Sequence, residues 1–447
     1  MSSLSRISRP PPAARAEESK IGRVTGLSAL EHPLPAGMRD LLPREAERQA
    51  LLSGRVMAAF DLHGYQVVSV PAFEYADVLE RGLGSLDPNE VLRFVEPETG
   101  EVVALRPDMT PQVARLLATR LLDVPSPARL CYRGSVLRRR RERARRHRQI
   151  PQAGIELVGS AEPEGDLEVL SVAAASVRAA GLSEFVIDLG HAQVAASLLT
   201  SVDRAHWPGL VEALSLKDTG ELVRRAERCG MPRPALAAIA ELPGLHGGEE
   251  VWPRAERVLA GTPAEPAMLA LRRIWREVAA RAIAPKIVVD LGETWNFAYY
   301  TGVMFQLLAE GPGEPVGSGG RYDGLLERFG QPRPAAGFAV DLANLDWAVR
   351  RAGASRPAAP RVLVAGDVAG DLPERVLGAL RARRVRCAPA PKPGAEEYAS
   401  AWGYSHVLWL GTAGHRLGSV ERGVSEPVGA GAPDEVAARV AARVEVV

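Results

Sequence analysis

The chain has 447 residues, a formal net charge of +1, 46% hydrophobic residues and 5% aromatics. That length allows two or three domains around a substantial core, and the near-zero charge excludes a global field that would steer the protein onto nucleic acid. Three widely separated cysteines, Cys131, Cys229 and Cys387, exclude a disulfide framework and show no metal-ligand spacing.

The opening residues 1–30 are rich in Ser, Pro, Ala and Arg and lack the apolar core of a secretory signal. They read as a disordered lead-in to a cytoplasmic protein, and no apolar run reaches the roughly 18–20 residues of a membrane span. Apolar Ala46, Leu51, Leu52, Val56, Ala59 and Phe60 recur at helical spacing, which predicts a helix over 44–62. A strand is expected over 65–70. Residues 92–95 and 102–105 flank Pro97, Thr99 and Gly100, a hairpin signal. Thr110 followed by Pro111 marks a helix start, with the helix running to about 121 and Thr110 as its candidate cap.

Residues 130–137 and 150–158 read as two long strands. The run between them holds eight arginines from Arg138 to Arg148 and is too charged to bury, so it predicts an exposed loop joining antiparallel partners. A helix over 166–180, closed by Gly181, precedes a strand over 185–189. The stretch of about 193–284 is mostly helical and punctuated by Gly and Pro, which suggests a helical insertion. Strands return at 287–291 and 303–308, and a short helix is expected at 322–329. The Gly-, Ala-, Pro- and Ser-rich residues 351–360 form a linker. Residues 361–447 alternate strand and helix patterns, as a small α/β domain does. The region 31–350 reads as α+β: antiparallel strands, flanking helices and the helical insert.

Four segments could carry chemistry. Asp108 and Thr110 place a carboxylate and a hydroxyl at a strand-to-helix junction, where capping alone would also account for them. Gln152 and Glu156 share one strand face, with Gly154 clearing space between them. Two aligned polar side chains in a buried strand are costly without a polar partner. Tyr299 and Tyr300 are either a packed aromatic pair or a ligand wall. Gly317 to Gly324 is a glycine-rich run that a plain surface turn would explain. The arginines of the loop, Arg139, Arg140, Arg141, Arg143, Arg145 and Arg146, repel one another unless solvated or faced by an anion or acidic partner.

Taken together, these segments resemble the class II aminoacyl-tRNA synthetases, and the histidyl enzyme in particular, over about residues 31–350. The resemblance implies a histidine pocket formed by Asp108, Thr110, Arg138, Gln152, Glu156, Tyr299 and Tyr300, with Gly319 and Gly320 bringing backbone to the ligand. It implies no metal and no cofactor, with histidine as the ligand. It places the ammonium near Asp108, Thr110 and Gln152, the ring near Glu156 and Tyr300, and the carboxylate toward Arg138.

The departures fall on the reaction centre. Asp108 stands where the synthetase has Glu. Arg140 occupies the site of an acidic residue that helps hold ATP. Trp295 replaces the arginine that activates the carboxylate, and Asn344 replaces an ATP-facing arginine. An indole cannot supply a fixed positive charge opposite developing negative charge.

This combination resembles the ATP phosphoribosyltransferase regulatory subunits. What the family implies is a non-catalytic chain that works with a short-form catalytic subunit at the first step of histidine biosynthesis and takes part in histidine feedback. It also implies a homodimer within a hetero-octamer, and no tRNA aminoacylation. The final domain loosely resembles a reduced anticodon-binding domain. A histidine–tRNA ligase and a non-catalytic RNA-binding synthetase paralogue are the alternatives.

Overall fold

The computed structural model describes residues 34–83, 91–138, 147–294, 299–354, 359–366, 368 and 370–444. The expectations for the lead-in, for Arg139, Arg140, Arg141, Arg143, Arg145 and Arg146, and for Trp295 lie outside these residues. The centre of the fold is a nine-stranded sheet. Its order in space is Gln66–Val67, Ala128–Leu137, Gln149–Val158, Ala335–Asp341, Gly317–Arg321, Val303–Leu308, Val186–His191, Lys286–Asp290 and His246–Gly247.

The expected antiparallel sheet is corrected to a mixed one. Gln66–Val67 runs parallel to Ala128–Leu137, and Val186–His191 runs parallel to Lys286–Asp290, while the central pairs are antiparallel. Each parallel pair is joined by a long crossover, as parallel partners require: residues 68–127 connect Gln66–Val67 to Ala128–Leu137, and the helical insert connects Val186–His191 to Lys286–Asp290.

Alternation assigns one face of this sheet to a helix-covered core. Cys131, Ala153, Ile155, Leu157, Phe305, Phe338 and Val340 point there, against Val56 and Phe60 of Pro43–Leu62 and Val169, Val172 and Ala173 of helix Glu164–Ala180. Phe305 and Phe338 stack at 5.9 Å. Pro43 begins its helix at a position where a missing N–H is harmless, and Gly181 ends the second in a left-handed cap at φ 108°. The opposite face carries Tyr132, Met304, Tyr300 and Tyr322 and is covered by Val113, Ala114 and Leu117 of helix Thr110–Arg120.

The insert contains helices Ala192–Leu199, Trp207–Ser215, Thr219–Arg228, Arg233–Glu241, Trp252–Leu259 and Glu265–Ala280, which share the first core. Two local expectations are corrected. The strand over 65–70 is only Gln66–Val67, and the helix over 322–329 is only Gly324–Glu327. The glycine-rich run forms the strand Gly317–Arg321, which removes its alternative reading as a plain turn.

The C-terminal residues form a separate five-stranded sheet in the order Arg386–Pro389, Arg361–Ala365, His406–Trp409, Arg416–Ser419, Val424–Pro427. Its two apolar clusters contain only residues from 362 onward. Arg361 and Arg386, paired neighbours on adjacent strands, both reach Glu47 on helix Pro43–Leu62. Ion pairs of this kind contribute little when solvated. A chain ended at Ala354 should therefore keep its fold. Circular dichroism should show a helical spectrum and a cooperative melt near that of the full chain; loss of cooperative melting would refute the independence of the two cores.

Candidate functional site

Cross-strand register builds a floor interrupted by glycines. One row across the pocket face reads Gly190, Met304, Gly320, Gly337, Glu156 and Leu130. The next row reads Asp188, Gln306, Ser318, Ala339, Gly154 and Tyr132, and Gln152 stands opposite Gly134 and Asp341 in a third. Gln152, Gly154 and Glu156 thus share a face, as the strand period requires. The glycines are sterically obligatory. A Cβ on Gly337 would lie 2.2 Å from both Glu156 Oε2 and the Tyr322 hydroxyl, one on Gly154 would lie 2.6 Å from the Tyr132 hydroxyl, and one on Gly320 would lie 2.7 Å from the Tyr300 ring.

Glu156 is the centre of this face. It is 2% exposed, and its Oε1 accepts hydrogen bonds from the Thr110 hydroxyl at 2.7 Å and the Tyr132 hydroxyl at 3.1 Å. Its Oε2 has no partner. Burial pushes its carboxyl well above the ordinary value, the charge of Asp108 adds to that, and the two hydroxyl donors only partly oppose it.

Asp108 Oδ1 accepts from the Thr110 backbone N–H at 3.2 Å, so Asp108 serves the start of helix Thr110–Arg120. The expectation that Thr110 caps the helix is corrected. Thr110 is its first residue, and its hydroxyl faces the two carboxylates, at 2.7 Å from Glu156 and 3.4 Å from Asp108. Arg138 is anchored by Nε to the Pro107 carbonyl at 2.6 Å and sets Nη2 3.9 Å from Asp108.

The aromatic side is continuous. Tyr299 meets Tyr300 edge-on at 5.2 Å and Tyr322 at 5.1 Å. Burial raises the phenols of Tyr299 and Tyr300, and the neighbouring charges of Asp108 and Glu156 raise them further, so both stay protonated donors. The hydroxyls of Tyr299 and Tyr322 and Oε1 of Gln152 are buried without hydrogen-bond partners.

Of the expected residues, the structure gathers Asp108, Thr110, Arg138, Gln152, Glu156, Tyr299 and Tyr300, with Gly320 beneath the Tyr300 ring. Gly319 points to the other face, where a Cβ would lie 2.4 Å from the Gly337 carbonyl and against Phe305. Tyr322 also lines this face, and Tyr132 was missed as a side-chain contributor. The signal for Tyr132 was available, since it stands opposite Gly154. Among the described residues, no group of three His, Cys, Asp or Glu is placed to hold a metal ion, and no helix is long and apolar enough to cross a membrane.

A mixed sheet carrying this acidic, glycine-floored pocket defines the histidyl-tRNA synthetase type of fold, and the family model described as histidyl-tRNA synthetase matches residues 37–345. A crystal structure of a histidyl-tRNA synthetase from Nostoc sp. PCC 7120 superposes with a TM-score of 0.72 over 92% of this chain and 99% of that one, at 19% identity.

The sequence is more specific. An ATP phosphoribosyltransferase regulatory subunit from Anaeromyxobacter sp. (strain Fw109-5) is 44% identical over 340 residues, which is 74% of this chain and 98% of the relative. The protein of that name from Geobacter sulfurreducens is 34% identical, covering 72% of this chain and 74% of the relative. A crystal structure of an ATP phosphoribosyltransferase regulatory subunit/histidyl-tRNA synthetase from Bacillus halodurans matches with a TM-score of 0.73 at 25% identity, over 86% of this chain and all of that one. The chain belongs to the ATP phosphoribosyltransferase regulatory subunit family.

The buried carboxyl gives a pH signature of defined sign. A carboxyl raised by folding binds more protons folded than unfolded, so stability falls as pH rises from the ordinary 4.5 toward the folded value. Asp166, raised to about 6, and Asp188, raised to about 7, act with the same sign. Glu156→Gln should therefore flatten, without abolishing, the decline in urea-unfolding free energy above pH 4.5. An unchanged slope would show that Glu156 holds its charge in the folded protein.

Proposed function

We propose that this chain is the histidine-sensing, non-catalytic partner of a short-form ATP phosphoribosyltransferase catalytic chain. In this reading it acts in the cytoplasm as a homodimer within a larger assembly of both chains. The observation that carries the sensing role is the Glu156 centre, with Oε1 held by two hydroxyls and Oε2 left over a floor of glycine. A neutral or cationic imidazole can supply the missing partner, and Tyr300 or Tyr322 can serve the second ring nitrogen. Asp108 attracts the α-ammonium and Arg138 the carboxylate. A ring N–H brought to Oε2 would favour the charged form of Glu156, which burial otherwise disfavours.

The alternative, a histidine–tRNA ligase, needs cations opposite the phosphates of ATP. Asn344 stands at one such position. It is 2% exposed and donates to the Pro315 carbonyl at 3.0 Å. An amide turned onto the backbone offers a phosphate no charge. An RNA-binding role has less support, because the near-zero net charge gives no long-range attraction.

Linkage sets the regulatory sign. If histidine lowers the activity of the assembly, the less active state binds histidine more tightly. Isothermal titration should show saturable binding of L-histidine to the purified chain. Asp108→Asn, which keeps the side chain's shape and removes the charge that attracts the α-ammonium, should weaken it by about tenfold or more while the thermal melt persists. Histidine-dependent exchange of pyrophosphate into ATP by the chain alone would overturn the non-catalytic reading. A second measurement adds the short catalytic chain, whose phosphoribosyl transfer should rise with this chain present and fall again on adding histidine.

A further inference from the structure

Behind the pocket lies a buried ion pair that the ligand groups do not include. Arg321 ends the glycine strand Gly317–Arg321. Because Gly320 faces the pocket, Arg321 points to the helix-covered side. It is 2% exposed and is among the largest fully buried side chains. Its Nε donates to Asp166 on helix Glu164–Ala180 at 2.9 Å, and its Nη1 donates to Asp323 at 3.0 Å and to the Ser160 carbonyl at 3.2 Å. Two glycines clear its path. A Cβ on Gly302 would lie 2.9 Å from Arg321 Cδ, and one on Gly165 would lie 2.9 Å from Arg321 Nη2.

The backbone of the same residues fastens two segments together. The Arg321 carbonyl accepts from Thr301 N–H at 2.8 Å. The Thr301 hydroxyl accepts from Asp323 N–H at 2.9 Å, and Asp323 Oδ1 accepts from Ala335 N–H at 2.8 Å. Tyr300 precedes one fastened residue, and Tyr322 lies between the other two. The segments that carry Tyr300 and Tyr322 are thus fastened to each other, and Arg321 ties them through Asp323 to helix Glu164–Ala180.

Stability alone does not explain the arrangement. Burial pushes Asp166 up to about 6 even with Arg321 pulling the other way. Asp166 Oδ2 and Arg321 Nη2 both lack partners. Replacing a buried ion pair by apolar residues is often neutral or stabilising, whereas a planar fork with several fixed donors sets direction.

We propose that Arg321, tied to Asp166 and Asp323, is the positioning residue that aims Tyr300 and Tyr322 at the imidazole. This rests on the histidine-sensing reading above. It assigns no ligand contact to Arg321 itself. The guanidinium joins helix Glu164–Ala180 to the aromatic wall, so the wall's geometry follows the helix.

The test uses the full chain carrying 3-fluorotyrosine, with its eight tyrosines assigned by single Tyr→Phe changes. One variant, Asp166→Leu with Arg321→Met, removes both charges together. A second, Arg321→Lys, keeps the charge and loses the fork. Expected for the double variant is a thermal midpoint close to the unaltered chain, displaced or broadened fluorine resonances for Tyr300 and Tyr322, and histidine affinity lower by about tenfold or more, as a loosened supporting shell gives. Arg321→Lys should move both readouts in the same direction.

Wild-type resonances or wild-type affinity in a folded variant would each overturn the assignment. If the double variant does not fold, Arg321→Lys decides by the same two readouts. If the unaltered chain binds no histidine, the sensing reading falls, while the ligand-free fluorine spectra still decide whether Arg321 places the tyrosines.

Discussion

The cost of putting a carboxyl group where water cannot reach it governs the pocket. Glu156 is sealed on a sheet face between Gly337, Gly154 and Leu130, and from the strands of that face only Tyr132 is recorded donating to it. Hydrogen bonds to a charged group contribute roughly 1.5–3 kcal/mol each, and desolvation of a buried ion costs several kcal/mol. The hydroxyls of Thr110 and Tyr132 oppose that cost, while the charge of Asp108 adds to it. The raised carboxyl of Glu156 follows from that imbalance. A ligand that brings a ring N–H to Oε2 changes the balance, which is why the site suits an imidazole better than an apolar ring.

The same inventory separates holding an amino acid from activating it. Asp108, Glu156 and Arg138 provide for an ammonium, a ring and a carboxylate. Adenylate formation adds three phosphates and a developing negative charge, which a protein meets with fixed cations aimed at those atoms. In this chain the Asn344 amide is turned onto the Pro315 carbonyl, and Arg321, one of the most buried guanidiniums, is consumed by Asp166 and Asp323 on the far side of the sheet. Cations are abundant in the sequence, but charge that is already neutralised or pointed away does no work on a phosphate.

Much of this was legible because strand geometry is simple. The spacing of Gln152, Gly154 and Glu156 fixed a shared face before any coordinates, and helix Pro43–Leu62 and strands Ala128–Leu137 and Gln149–Val158 follow from periodicity within one or two residues. The strand Gly317–Arg321 was opaque for a physical reason. Glycine has poor strand propensity, and only the pairing of Gly320 with Gly337 and Met304 makes the run a strand. The role of Thr110 was misread because its hydroxyl had a local option, capping, and a long-range one, Glu156. The long-range partner lies 46 residues away in sequence, and local pattern cannot rank it. The placement of Tyr322 likewise depends on Asp323, Thr301 and Ala335 converging from three segments.

Sheet alternation also explains how one strand serves two masters. Gly320 and Arg321 are adjacent in sequence and opposite in direction, so the pocket floor and the core anchor cannot be changed independently. Helix Glu164–Ala180, which holds Asp166, packs in the same core as helix Pro43–Leu62, and the latter carries Glu47 to Arg361 and Arg386 of the C-terminal sheet. Contact alone is not coupling. Coupling requires an element with two arrangements, each favoured by a different ligand or partner. The floor of glycines is too tightly filled to be that element, because a methyl group is already excluded from it. The part left for a ligand to engage is the aromatic wall, where Tyr299, Tyr300 and Tyr322 touch one another at 5–6.5 Å between ring centres and the hydroxyls of Tyr299 and Tyr322 lack partners. A ligand that pairs with such hydroxyls satisfies donors that the fold leaves buried and unpaired, and this places its effect on the rings rather than on the strands beneath them.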